Sequence, residues 1–501
     1  MLVKSRIAKD ALGIAALLVA AALVGWRCYE RMMLPGAPHD AIHTAGSDFR
    51  DVIYYPTRAV IAGVNPYDSA EDNPNSYQSQ FPVGNNFPLY SPLIFVPALP
   101  IAILPLGISV ATWWLVNVGL TILLAYVVWR WCGIVPTVAM TATLSAVILL
   151  TRPGQANLYF GQATLLFVLA SLAALYWARR RPYLAGVALA LATMKPTFGG
   201  PLAILMFCRR DWRTASLGSI LGIAAAIIGL AIVFSHDATG KSPLAVLRGN
   251  QEATDRDPAV DPALSNSRID AVMVAERLLG PAAAPAVRIA IPLLILSVSG
   301  LILWRNASQL PATANNNDFE NSEKLSSALI LVTMAGCVYH NIYDALLLVV
   351  PAALAWPASK RRGLMSKRWQ GLVVCALLVV PAVSYFSSRQ FNELVSKAIP
   401  SIGVSVPGRT PLVIQLANGC AVTAAWLLLL AAAARAPNGN AVTTSTTRDA
   451  LAKNSRPKET LAVARMEFPV SPRTEASEYL ISQMEAAPLP VLSADQQGVR
   501  P

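Results

Sequence analysis

Gly46-Ser-Asp-Phe-Arg-Asp-Val-Ile-Tyr-Tyr-Pro-Thr-Arg-Ala-Val-Ile-Ala-Gly-Val-Asn-Pro-Tyr-Asp68 follows the first apolar segment, Ala11 to Trp26, and so lies at a membrane face. Lys4, Arg6 and Lys9 precede that segment, which puts the N-terminus in the cytoplasm and this stretch outside. Val52, Tyr55, Ala59, Val60 and Gly63 recur three or four apart and form one apolar helical face. Tyr54, Arg58 and the carboxylates Asp48 and Asp51 fall towards the other face. Such a helix is expected to lie in the headgroup plane. Asn65-Pro66-Tyr67-Asp68 ends it as a turn, because proline disfavours a helical residue before it.

The composition sets the class. Of 501 residues, 54% are hydrophobic and 14% charged, against roughly a quarter charged in a soluble chain. The apolar residues gather in long runs, so an all-α polytopic membrane protein is expected. The net charge of +12 does not point to nucleic acid. From Ala436 onward seven basic residues balance seven acidic ones, so the excess belongs to residues 1–435, in short clusters beside apolar segments. That is the positive-inside pattern. Residues 436–501, polar and without periodicity, are expected to form a disordered cytoplasmic tail. Cys28, Cys132, Cys208, Cys337, Cys375 and Cys420 lie far apart and read as plain apolar side chains. No metal-ligand spacing or cofactor motif is visible; metal dependence stays open.

Taken in order, the chain predicts about twelve membrane segments. Pro92 to Leu106 is short and proline-broken, and is expected to run at or partly into the outer leaflet. With that count Arg130, Arg179 to Arg181, Arg209, Arg210, Arg305 and Lys360 to Arg362 all fall inside. Thr151 to Gln162 then lies outside. Leu184 to Met194 and Pro201 to Cys208 form a hairpin with Lys195-Pro196 at its outward tip, Ser235 to Pro285 is a second outer loop, and Tyr339 to Asp344 is an outer turn. Both termini are cytoplasmic, in the cytoplasmic (inner) membrane.

The charge rule thus gathers Asp48 and Asp51, Gln162, Lys195, and His340 with Asp344 on one side. Ionisable groups at a membrane usually pair or serve function. Each also has a plainer reading. Lys195 suits snorkelling to the interface, the two aspartates suit helix capping, and Gln162 suits helix-to-helix hydrogen bonding. Tyr54, Tyr55, Tyr67 and Tyr90 suit an interface belt.

The motifs resemble a known family as a set. They are Asp48-Phe49 followed by Tyr54-Tyr55, Gly63-Val-Asn-Pro-Tyr-Asp68, Phe87-Pro-Leu-Tyr-Ser-Pro-Leu93 and Gly161-Gln162. Ala185-Gly186 with Lys195-Pro196, Arg209-Arg-Asp-Trp-Arg213 and Asn266-Ser267 complete it. Over roughly residues 45 to 360 the chain is similar to the family 87 glycosyltransferases, which include mannosyl- and arabinofuranosyltransferases of the cell envelope. The resemblance implies a C-type glycosyltransferase fold with a large first outer loop carrying amphipathic helices. It also implies a polyprenyl-phosphate sugar donor, used on the outer face, and a lipid or glycan acceptor. An acidic residue of the first outer loop would be the catalytic base. Asp48 matches best by its Asp-Phe context, and Asp51, one turn on, stays open beside it.

Donor or acceptor binding is then expected from Lys195, His340, Gln162, Tyr55, Asn65, Tyr67, Tyr90 and Asp344, within a transferase domain at 1–435. A sugar phosphate is already activated, so the leaving phosphate needs charge stabilisation, from Lys195 with His340 or Arg152. The acceptor hydroxyl needs a base within reach. Attack opposite the phosphate would invert the anomeric centre. A lipid or solute transporter or flippase is the rival, and it would show internal repeats and midplane charges. Neither is visible here.

Overall fold

In a computed structural model of the chain, residues 2–33, 45–68, 77–82, 90–235, 242–256, 260–262, 265, 267–309, 316–356, 368–385 and 412–435 are described. The expected tail at 436–501, Phe87 to Leu89, Asn266 and the Lys360 to Arg362 cluster lie outside them. Among the described residues the only regular structure is helical. In chain order the helices are α1 (Leu2–Met33), α2 (Tyr55–Ile61), α3 (Tyr77–Gln80), α4 (Phe95–Ala102), α5 (Leu106–Trp131) and α6 (Val138–Leu150). Then come α7 (Arg152–Phe160), α8 (Thr164–Trp177), α9 (Pro182–Ala192), α10 (Pro196–Cys208), α11 (Trp212–Ser235) and α12 (Pro243–Arg256). The last are α13 (Ala271–Leu279), α14 (Ala284–Gln309), α15 (Asn316–Cys337), α16 (Val349–Ala355), α17 (Arg368–Val383) and α18 (Leu412–Arg435).

Among the described residues five helical stretches are long and apolar enough to cross a membrane: Ser5–Met32, Leu106–Trp131, Trp212–Ser235, Pro281–Ser308 and Leu416–Arg435. The pair α7 and α8, bent by 119°, makes a sixth if it is one span. The expected count of about twelve is therefore not reached on length and composition. The shortfall is physical: α6 has 13 residues and rises about 20 Å, against a hydrocarbon core of about 30 Å. α4 has eight residues, too few to cross.

The packing separates a lipid-facing ring from a dry interior. α1, α11 and α14 expose large apolar side chains such as Leu18, Ile223, Ile227 and Leu293. α15 is buried on every side from Ala328 to Ala335, as a helix apolar all round should be. α1 and α6 run parallel, for Gly13 faces Ala139 and Asp10 Oδ1 accepts from the Ala139 N–H at 2.9 Å.

The structure sharpens the sequence expectations here. Thr151 to Gln162, expected outside, is largely helical. Thr151 caps α7, its side chain accepting from Gly154 N–H, and Gly161 ends the helix at φ 72°, where a residue without Cβ is favoured. The loop after α11 contains α12 and α13, the latter capped by Asp270 through Met273 N–H. Tyr54, assigned to the polar face, is buried and donates to Leu104 O at 2.9 Å. The reason is that Phe49–Tyr54 forms a turn of π-helix, whose i→i+5 bonding puts more residues in the turn and moves the following side chains off the 3.6-residue register.

Candidate functional site

A cavity of about 940 Å³ opens among the π-turn, α10, α11, α14 and the segment around the start of the 3₁₀ helix Ile342–Leu348. Its polar lining includes Tyr67, Tyr90, Gln162, Lys195, Arg268 and Tyr343, and Gly222, Ile223 and Leu230 of α11 belong to its apolar lining.

Lys195 ends the break between α9 and α10, so the expected hairpin is present. Its tip, however, is buried: Lys195 is 7% exposed, which removes the snorkelling reading. Its Nζ lies 2.6 Å from Asp344 Oδ1 and 5.1 and 5.0 Å from the ring centres of Phe198 and Tyr343. Asp344 also accepts from Thr164 Oγ1 at 3.1 Å and from Asn341 N–H at 3.2 Å, and its Oδ2 sits 3.1 Å from His340 Nδ1. Burial alone would raise the Asp344 pKa, but Lys195 and His340 beside it hold it down to about 2. His340 is buried, with Phe198 edge-on to its ring at 5.1 Å, and its Nε2 has no hydrogen-bond partner. The outer turn of the sequence is thus a buried ionic knot behind Lys195.

Asp48 sits one step from the cavity. Gln162, which lines it, donates its side-chain amide to Asp48 Oδ2 and accepts from Tyr90 OH. Ser47 Oγ donates to Asp48 Oδ1 at 3.4 Å. The Asp48 side chain caps no helical N–H, so the capping reading does not apply to it. Burial lifts its carboxyl from the ordinary 3.8 to about 7, with nearby Asp51 adding to the rise and Gln162 and Lys195 opposing it. Burial also keeps the Tyr90 phenol well above its ordinary pKa, with Asp48 and Asp344 reinforcing this. Tyr90 is accordingly a donor, and the Gln162 amide must turn its N–H₂ to Asp48.

Asp51 is drawn elsewhere. It is fully buried, and Arg50 Nε and Nη2 approach its two oxygens at 2.7 and 3.2 Å. The structure does not give the aspartates one shared face.

The remaining predicted residues divide. Tyr67 lines the cavity and donates to Tyr90 O at 2.7 Å. Asn65 Oδ1 accepts from Tyr67 N–H at 2.9 Å, so Asn65 shapes the turn. Tyr55 is half-buried between Tyr54 and Phe81, away from the cavity wall. Arg152 does not line the cavity either.

Arg268 was missed. It is 5% exposed, forms a two-pronged contact with Asp270 at 2.9 Å on both prongs, and stacks 4.9 Å from the Tyr339 ring centre. Its sequence signal was weak: an arginine two residues before a helix-capping aspartate.

Helices long enough to span a bilayer, beside a largely apolar cavity with a few convergent polar groups, define a multi-pass membrane protein with a reaction or binding chamber. The comparison with protein families gives the class its chemistry. The model of glycosyltransferase family 87 matches residues 88–317, so the likeness read from the motifs holds over that part of the chain, which is that of a membrane glycosyltransferase. Gln162, Lys195 and Arg268 fall within the match; Asp48, His340 and Asp344 flank it. No curated protein and no solved structure matches the chain.

Proposed function

We propose that the chain transfers a sugar from a polyprenyl-phosphate donor to a lipid or glycan acceptor, with Asp48 as general base. The observation that carries this reading is the pairing of two groups at one cavity. A carboxyl with its pKa near 7 stands behind Gln162, and a buried cation, Lys195, lines the same cavity. A base near neutrality takes up a proton best at physiological pH, and a desolvated cation stabilises a leaving phosphate strongly.

In this reading Asp48 accepts the proton of the acceptor hydroxyl as its oxygen attacks the anomeric carbon. The bond from that carbon to the phosphate oxygen breaks, and polyprenyl phosphate leaves with its electron pair, its charge met by Lys195. Attack opposite the phosphate inverts the anomeric centre. Arg268, already neutralised by Asp270 and lining the same cavity, suits hydrogen bonding to sugar hydroxyls. The fold is of the C type in this reading, the cavity faces outward in the cytoplasmic membrane, both termini are cytoplasmic, and residues 436–501 are dispensable. Impermeant maleimide labelling of single cysteines beside Gln162 but not beside Arg180 supports that orientation; the reverse pattern overturns it.

The deciding experiment compares Asp48→Asn and Asp51→Asn in one detergent preparation with labelled polyprenyl-phosphate sugars. Turnover should fall about 10²- to 10⁴-fold for Asp48→Asn, with donor binding kept. Full activity of Asp48→Asn would exclude it as the base.

A further inference from the structure

Arg27 and Arg31 at the end of α1, and Arg152 at the start of α7, share one neighbourhood that contains no acidic partner among the described residues. Tyr159 interacts electrostatically with all three. Gln155, which accepts from Arg27, donates to Tyr385 Oη at 3.0 Å, and Tyr385 in turn donates to Leu150 O, two residues before Arg152. Arg27 has a hydrogen bond only to neutral Gln155, at 3.4 Å. Arg152 buries its Nε without a hydrogen-bond partner. Glu30, one turn from Arg27, forms no ion pair with any of them.

The depth of this cluster is marked independently. Trp26 and Tyr29 on the same turns of α1 are 65% and 53% exposed, and aromatic residues of that kind collect at the headgroup level. Leu18, Val19 and Leu23, one to two turns earlier, are exposed apolar residues that suit acyl chains. Three cations at headgroup depth repel one another, and a half-buried guanidinium with an unmet N–H is costly. An external anion relieves both. None of the three lines the cavity, so this is a separate place.

We propose that Arg27, Arg31 and Arg152 form a binding site for the phosphate of an anionic phospholipid in the leaflet where α1 ends. The guanidinium forks suit phosphate oxygens, and the Tyr159 and Tyr385 hydroxyls border the same pocket of charge.

The test uses the full chain, delipidated in neutral detergent and reconstituted into nanodiscs of phosphatidylcholine alone or of an equal mixture with phosphatidylglycerol. Native mass spectrometry counts retained lipid, and thermal scans report stability. Wild type should retain phosphatidylglycerol and unfold at a higher temperature in the mixture. Affinity should fall about fivefold per arginine removed, judged from Arg27→Gln, Arg31→Gln and Arg152→Gln alone and together. Should the triple variant fail to fold, exposed Arg31→Gln carries the comparison. Equal retention by wild type and variants overturns the proposal. So does full thermal protection by inorganic phosphate in phosphatidylcholine, which would assign the site to a soluble anion.

Discussion

Gln162 donates its side-chain amide to Asp48 while its carbonyl accepts the Tyr90 hydroxyl. The amide orientation is thus set by a phenol that can only donate in this place, and the consequence is electrical. An N–H₂ turned to Asp48 favours the carboxylate; a carbonyl turned to it favours the acid. Tyr90→Phe removes the hydroxyl that fixes the choice, so the amide is free to rotate. The acid limb of the pH–turnover profile should then move to higher pH, with turnover above that limb changed less. A profile for Tyr90→Phe that coincides with wild type would remove Gln162 from the control of Asp48.

Asp48 should also mark the pH dependence of stability. Its folded pKa is raised from 3.8 to about 7. Between those values the folded state keeps a proton that the unfolded state has released, so stability falls as pH rises through that window. Asp48 thus contributes stability below about pH 4 and loses it as pH passes about 7. Asp48→Asn should flatten the dependence of the thermal midpoint between pH 4 and 7. The opposite slope comes from Asp344, held near 2, whose contribution is lost on acidification below about pH 4.

Lys195→Met does more than remove a ligand for phosphate. It leaves Asp344 buried without its cation, and breaking a buried pair costs about 3–5 kcal/mol. The single variant should therefore unfold at a markedly lower temperature. Lys195→Met with Asp344→Asn should recover much of that loss, since neither charge then remains. If Lys195 meets the donor phosphate, the double variant should still bind donor at least about tenfold more weakly. Wild-type donor affinity in the stable double variant would confine Lys195 to a structural role.

Arg50 and Asp51 form a pair in which one partner is fully buried. Asp51→Asn should lower stability by about 1–3 kcal/mol through weakened charged hydrogen bonds. The turnover of the folded fraction should largely persist. A turnover loss as large as that of Asp48→Asn would instead make Asp51 part of the chemistry.

Gly161→Ala tests how the π-turn after Asp48 and the end of α7 are locked together. Gly161 has φ 72°, and a Cβ there would come 2.6 Å from Phe49 Cβ. A left-handed non-glycine residue costs about 1–3 kcal/mol, and the clash presses on the residue next to Asp48. Expression and thermal midpoint should fall together with turnover, although Gly161 has no reactive group. Wild-type behaviour would mean that the backbone yields without moving Asp48.

The amino-acid sequence by itself determined the apolar, helical class, the break at Lys195-Pro196 and the family likeness, because hydropathy, helix-breaking residues and motif spacing are local. It also brought Asp48, Gln162, Lys195 and Asp344 towards one face by the charge rule alone. What it could not carry was which polar groups touch. Lys195 and Asp344 are 149 residues apart, and Gln162 and Asp48 are 114 apart, so neither pairing leaves a periodic trace. Composition alone also does not tell a span from a short apolar helix buried against others, so about twelve membrane segments were expected where five helical stretches among the described residues are long enough to cross. Only the tertiary structure separated the two aspartates. The π-turn at Phe49–Tyr54 and the packing around it pair Asp51 with Arg50 and leave Asp48 facing Gln162. Burial then lifts the Asp48 carboxyl, which faces a neutral amide, to about 7.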